Sequence, residues 1–174
     1  TTVGNDPVNM NNRVAITVKG AGAETFAGTV VGDGNGFANP IAFTATDTTM
    51  KLRVRAPAAG IPVMMKVEGA GGTPFAEVTV NTTAADTWET LEFDFSTVGI
   101  DTSATYVQAV VFFDFGQFGN DATYYWDDLS LGDLLQQIDL PVTFDEPLVD
   151  YSLSDFEGAV TVLADDPTGA VNTV

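Results

Sequence analysis

The chain contains no histidine and no cysteine. The first absence removes the commonest general base and a frequent metal ligand. The second removes thiol nucleophiles and any disulfide staple. Positive charge is scarce too: 6 Lys and Arg stand against 24 Asp and Glu, for a net charge of −18 over 174 residues. An acidic balance of that size disfavours nucleic acid and anionic lipid as partners and favours solubility in salty water. No run of about 18 apolar residues occurs, so no segment reads as a membrane-spanning helix. Helical periodicity is almost missing, with at most one turn at Asp133–Ile138. Asp114 and Glu92 could be nominated for glycoside hydrolysis, yet no hydrolase motif surrounds them. Asp114-Phe-Gly116 stands without the glycine loop and catalytic loop of a kinase. The expectation is a protein that is not an enzyme. No signal peptide is present, and a start at Thr1 without Met reads as processing. With Thr-rich strands and few Lys, the chain reads as a secreted or cell-surface prokaryotic protein, of marine or halophilic type.

What is present is strand sequence. The 12 Phe, 4 Tyr and 2 Trp in a chain that is 45% hydrophobic supply a sizeable core. Short runs rich in Val, Thr and aromatics recur at 14–18, 25–31, 41–45, 50–56, 62–68, 75–81, 87–95, 106–113, 123–131, 142–144 and 159–163. Gly-rich turns such as Lys19-Gly-Ala-Gly22, Gly69-Ala-Gly-Gly72 and Gly32-Asp-Gly-Asn-Gly36 separate them. Regular short strands with such punctuation predict a β-sandwich of antiparallel sheets. Alternation places Leu52 and Val54 inward on one strand and Leu91, Phe93 and Phe95 inward on another. Trp126 in the apolar run Tyr124-Tyr-Trp126 reads as core. Gly32–Gly36 lacks the spacing and closing Glu of an EF-hand and reads as a turn.

The start of the chain echoes its end. Thr1–Val14 (TTVGNDPVNMNNRV) and Thr161–Val174 (TVLADDPTGAVNTV) are identical at Thr1/Thr161, Asp6/Asp166, Pro7/Pro167, Asn12/Asn172 and Val14/Val174. Self-similarity at a fixed offset marks arrays and repeating assemblies. Just before the echo, Pro141-Val-Thr-Phe-Asp-Glu-Pro147 and Tyr151-Ser-Leu-Ser-Asp-Phe-Glu-Gly158 read as the opening of a β-domain, and no counterpart precedes Thr1. The chain thus divides into a body (1–131), a connector (132–140) and a strand-bearing tail (141–174). The tail completes either its own body or that of a neighbour. In the second case Phe144, Leu148, Tyr151, Leu153 and Phe156 are its buried anchors, and strand donation joins copies head to tail into a homopolymer, an extracellular filament or tandem array.

Thr87-Trp-Glu-Thr-Leu-Glu-Phe-Asp-Phe95, Val110-Val-Phe-Phe113 and Tyr124-Tyr-Trp-Asp-Asp-Leu129 together resemble the jelly-roll carbohydrate-binding modules of the galactose-binding-like superfamily, such as those beside marine laminarinases. The resemblance implies a jelly-roll sandwich, but here the opening strand, Val142-Thr-Phe-Asp-Glu146, comes last. It also implies a structural calcium ion (Ca2+) between the opening and final strands, held by Asp127, Asp128, Asp145 and Glu146, since calcium takes six to eight hard oxygen ligands. A further implication is polysaccharide binding, as a non-catalytic module for a β-glucan such as laminarin.

Trp88, Arg53, Arg55 and Lys66 are the candidate glycan-binding residues. An alternative for the cations is a cross-strand ion-pair ladder, with Lys51, Arg53, Arg55 and Lys66 facing Glu92 and Asp94. Asn81-Thr-Thr83 is a glycosylation sequon that makes Asn81 a candidate acceptor.

Overall fold

In the computed structural model, residues 1–31 and 36–132 are described, within one compact unit spanning Thr1–Gly132. The connector beyond Gly132, the strands expected at 142–144 and 159–163, all five tail anchors, Asp145 and Glu146 lie outside the described residues. So does most of the Gly32–Gly36 turn.

The described residues form a jelly-roll β-sandwich. Its strands are β1 (Thr2–Asn5), β2 (Arg13–Lys19), β3 (Thr29–Val31), β4 (Thr49–Arg55), β5 (Pro62–Glu68), β6 (Phe75–Asn81), β7 (Trp88–Asp94), β8 (Gln108–Phe113) and β9 (Ala122–Leu131). One sheet has five strands in the order β1-β2-β9-β4-β7; the other has four in the order β3-β8-β5-β6, and all pairings are antiparallel. No helix among the described residues is long and apolar enough to cross a membrane.

Alternation builds the core. Met50, Leu52 and Val54 of β4, Leu91 and Phe93 of β7, and Tyr124 and Trp126 of β9 turn inward from the larger sheet. Val63, Met65 and Val67 of β5 meet them with Ala109, Val111 and Phe113 of β8. The Phe113 ring stacks on Tyr124 with centroids 4.7 Å apart and lies 6.5 Å from Trp126. Offset stacking at that distance adds to what burial alone contributes. Burial, with the nearby Asp114 charge, pushes the Tyr124 hydroxyl up to about 12, so it stays neutral at any ordinary pH. Trp126 is buried, and its Nε1–H donates to Thr17 Oγ1 at 3.0 Å.

Three elements differ from the sequence expectation. The strand expected at 25–31 shortens to Thr29–Val31, because Thr25–Gly28 turns and pairs with the loop after β8 through Gly116 N–H on the Thr25 carbonyl. Residues 41–45 make only the isolated bridge Ile41↔Tyr106; a turn closed by Thr44 and Asp47 interrupts them, and Phe43 serves as a core plug against Tyr106 and Phe95. Phe95 leaves β7 to open a 3₁₀ turn (Phe95–Val98) and remains fully buried. The carboxylate of Asp94 caps that turn at Ser96 N–H, and Gly99 closes it at a φ of 67°, in the left-handed region where glycine costs least. Conversely, β1 was not expected, since Gly4 and Asn5 are poor strand formers; its register along β2, from Thr2↔Ile16 to Asn5↔Arg13, recruits it.

Candidate functional site

The outer face of the five-stranded sheet gathers polar and aromatic side chains into rows. Cross-strand register sets Ile16, Tyr125, Arg55 and Trp88 side by side on β2, β9, β4 and β7. The next row holds Asp127, Arg53 and Thr90. Asp127 shares this face with Tyr125 by ordinary strand alternation; just beyond it β9 bulges against β4, where the register shifts between Lys51 and Arg53 and Asp128 adopts a φ of 51°. Strands lie about 4.8 Å apart, so Trp88 and Tyr125 stand about 10 Å apart across Arg55.

Two guanidinium groups lie against the two rings. Arg53 sits 4.2 Å from the Trp88 ring centre, and Arg55 sits 5.7 Å from that of Tyr125. Arg55 also reaches Asp86 at 3.4 Å, while its Nε–H is buried with no acceptor among the described residues. A buried donor without a partner costs free energy unless water or a ligand meets it.

The loop between β1 and β2 fastens this face. Asp6 is buried; it accepts from Val8 N–H at 2.8 Å and from Trp88 Nε1–H at 3.2 Å. Asn12 Nδ2–H donates to Asp127 Oδ2 at 3.0 Å. Burial raises the Asp6 carboxyl, but hydrogen bonds from Val8, Trp88, Asn9 and Asn12 outweigh it and hold its pKa below the ordinary 3.8. A depressed carboxylate contributes stability that is present above its unfolded pKa, about 3.9, and lost as pH falls through the folded value. The melting-temperature difference between wild type and Asp6→Asn is therefore expected to be largest at neutral pH and to shrink below pH 4. Comparing the two proteins cancels the general relief of charge repulsion on acidification. A difference that stays constant from pH 7 to pH 3 would show that the Asp6 charge does not hold the loop.

Of the four candidate glycan residues, Trp88, Arg53 and Arg55 come together on this face. Lys66 does not: it lies on the outer face of the other sheet, 2.6 Å from Glu68 and 4.6 Å from the Phe75 ring centre. The ion-pair ladder forms at Lys51–Glu92, 3.0 Å, whereas Asp94 is taken up by its cap and Arg53 by the Trp88 ring. Asn81 ends β6 and is exposed, and the neighbouring Thr82 is buried, donating to the Ala58 carbonyl. For calcium, two of the four implied ligands are described. Asp127 is engaged by Asn12 and Asp128 is exposed at the bulge. No group of three or more metal-ligating side chains converges among the described residues, so these two do not form a calcium site by themselves.

Sequence reasoning did not nominate Tyr125, Asp6 or Asn12. A signal for two of them was present. Asp6 and Asn12 are both identities of the terminal echo, and both fasten this loop to the sheet.

No protein-family model matches the chain. No curated protein matches it. Among solved structures it is similar to a family 30 carbohydrate-binding module at 10% identity, covering 80% of this chain and 77% of that one, with a TM-score of 0.46. It is likewise similar to the family 30 carbohydrate-binding module of a cellulosomal cellulase of Clostridium thermocellum, at 11% identity, covering 76% of this chain and 84% of that one, with a TM-score of 0.45.

Proposed function

We propose that this protein is a non-catalytic glycan-binding module of a secreted polysaccharide-degrading system, and that a β-glucan of laminarin type lies across the outer face of the five-stranded sheet. One observation carries the reading: an aromatic–guanidinium row, Tyr125–Arg55–Trp88, on the outer face of the five-stranded sheet. Sugar rings present apolar C–H faces to aromatic rings and hydroxyl acceptors to guanidinium donors, and the row offers both at a spacing longer than one sugar ring.

Affinity electrophoresis tests this directly. Migration through gels containing laminarin, compared with gels lacking it, is expected to slow in proportion to polysaccharide content. Unchanged migration in laminarin and in other β-glucans would overturn the reading. Tryptophan fluorescence gives a parallel readout, because Trp88 is half-buried while Trp126 is buried in the core.

A further inference from the structure

A cavity of about 340 Å³ opens beside Thr1, with Phe113 of β8 in its wall. Lys19 in that wall already donates to the carbonyls of Asp114 at 2.8 Å and Phe113 at 3.1 Å. The outer face of the five-stranded sheet, by contrast, holds a buried residue that the core does not explain. Val14 alternates with Ile16 on β2, and Ile16 pairs with Tyr125, so Val14 turns away from the core. It is nevertheless 1% exposed and stands outside the core cluster. A covering segment must lie over the sheet at that point, and hydrogen bonds identify it. The loop after Asn5 sends Asn12 Nδ2–H to Asp127 on β9, and Asp6 Oδ1 accepts from the Trp88 indole on β7, the far edge of the sheet. Residues 6–12 therefore cross the face over the row of Asp127 and Arg53, directly beside the Tyr125–Arg55–Trp88 row.

The loop is closed on itself as well as tied down. Asp6 N–H donates to the Asn12 carbonyl at 3.0 Å, and Asn12 N–H donates to the Asn9 carbonyl at 2.9 Å. Asn11 N–H donates to Asn9 Oδ1 at 3.2 Å. One oxygen joins the loop to the aromatic row: the buried Asp6 Oδ1 accepts from Val8 N–H at 2.8 Å and from Trp88 Nε1–H at 3.2 Å. Sharing that acceptor sets Val8 beside the indole. The Val8 side chain is still 70% exposed. A lone exposed valine on a surface needs no explanation. Here it is held by a closed loop next to the ring of a proposed binding row, so its ordering cost is met before any ligand arrives. Contacts pre-organised in this way contribute more to affinity than contacts that must first be ordered.

We propose that the loop of residues 6–12 is a preformed wall of the glycan site, in which Asp6 is a positioning residue that sets the Trp88 ring and Val8 gives the sugar an apolar contact beside that ring. This deepens the glycan-binding reading and rests on it. The chain has 2 Trp, so proton–nitrogen NMR of the full chain shows two indole N–H signals, and Trp88→Phe assigns them by removing one. A soluble laminarin oligosaccharide is the probe. Asp6→Ala is expected to move the Trp88 signal, leave the Trp126 signal in place and weaken binding about 10-fold. Asp6→Asn keeps an oxygen that accepts from Val8 and Trp88, and retains most of the affinity. Val8→Ser leaves both indole signals of the free protein and its melting temperature at wild-type values, yet weakens binding about 5-fold. Wild-type affinity in Val8→Ser would overturn the wall while leaving sugar on the aromatic row. An unmoved Trp88 signal in Asp6→Ala would overturn the positioning role, whether or not any glycan binds. If the wild type itself responds to neither laminarin oligosaccharide nor other β-glucans, the glycan-binding reading fails and the wall fails with it.

Discussion

Replacing Trp88 with alanine is expected to lower affinity for a β-glucan by about 30-fold, since truncating a central aromatic anchor costs on the order of 2 kcal/mol of binding. Two losses combine. The ring that supplies a stacking face disappears, and Arg53, now 4.2 Å from that ring, loses the surface against which it lies. The indole N–H that tethers Asp6 also goes, so the loop between β1 and β2 loosens from the sheet. Trp88→Phe separates these effects. It keeps a ring under Arg53 but removes one donor to Asp6, so retention in laminarin gels should be largely preserved while the stability increment from Asp6 is reduced. Electrophoretic retention and thermal melting of the two variants check both parts. If Trp88→Ala migrates like wild type in laminarin, the outer face of the five-stranded sheet is not where sugar binds.

The second large effect is structural. Phe113→Ala is expected to destabilise the fold by about 3–5 kcal/mol, the usual cost of emptying a buried phenylalanine site. For a body of this size that lowers the melting temperature by on the order of 10 °C. Phe113 is 2% exposed, stacks on Tyr124, leans toward Trp126 and lines the cavity beside Thr1. Its backbone carbonyl accepts from Lys19, and that bond survives the substitution, so the loss measures packing alone. Val30→Ala, on the same side of the molecule but half exposed, serves as the comparison and should change stability little. Calorimetry of both variants tests the contrast. Equal small shifts would mean that the wall of the cavity nearest β8 contributes little to the core.

Much of the molecule was legible from local pattern. Strict alternation in Lys51-Leu-Arg-Val-Arg55 and Glu89-Thr-Leu-Glu-Phe-Asp-Phe95 located two strands and their inward residues, because side chains on a strand have a period of two and one face is buried. Pro62–Glu68 was bounded correctly by Gly60 and Gly69, and Phe75–Asn81 at its start by Pro74. Trp88, Arg53 and Arg55 were named for one role, and they meet on one face. β1 was not legible. Thr-Val-Gly-Asn is short and half made of poor strand formers, and it is held by pairing with Arg13–Ile16 of β2. Lys66 was grouped with Arg53 and Arg55 because it is a nearby cation, yet the chain crosses to the other sheet between β4 and β5.

The sequence by itself determined the antiparallel two-sheet architecture, the inward residues of its longer strands, the acidic surface and the lack of histidine or thiol chemistry. Each follows from composition or from a period short enough to read along the chain. Only the tertiary structure decided that Tyr125 joins Arg55 and Trp88 in one row, that Asp6 and Asn12 fasten a loop across that row, and that a cavity opens beside Thr1. These depend on which strands become neighbours and in what register. Those are choices made by burial of the whole core, and no single segment encodes them.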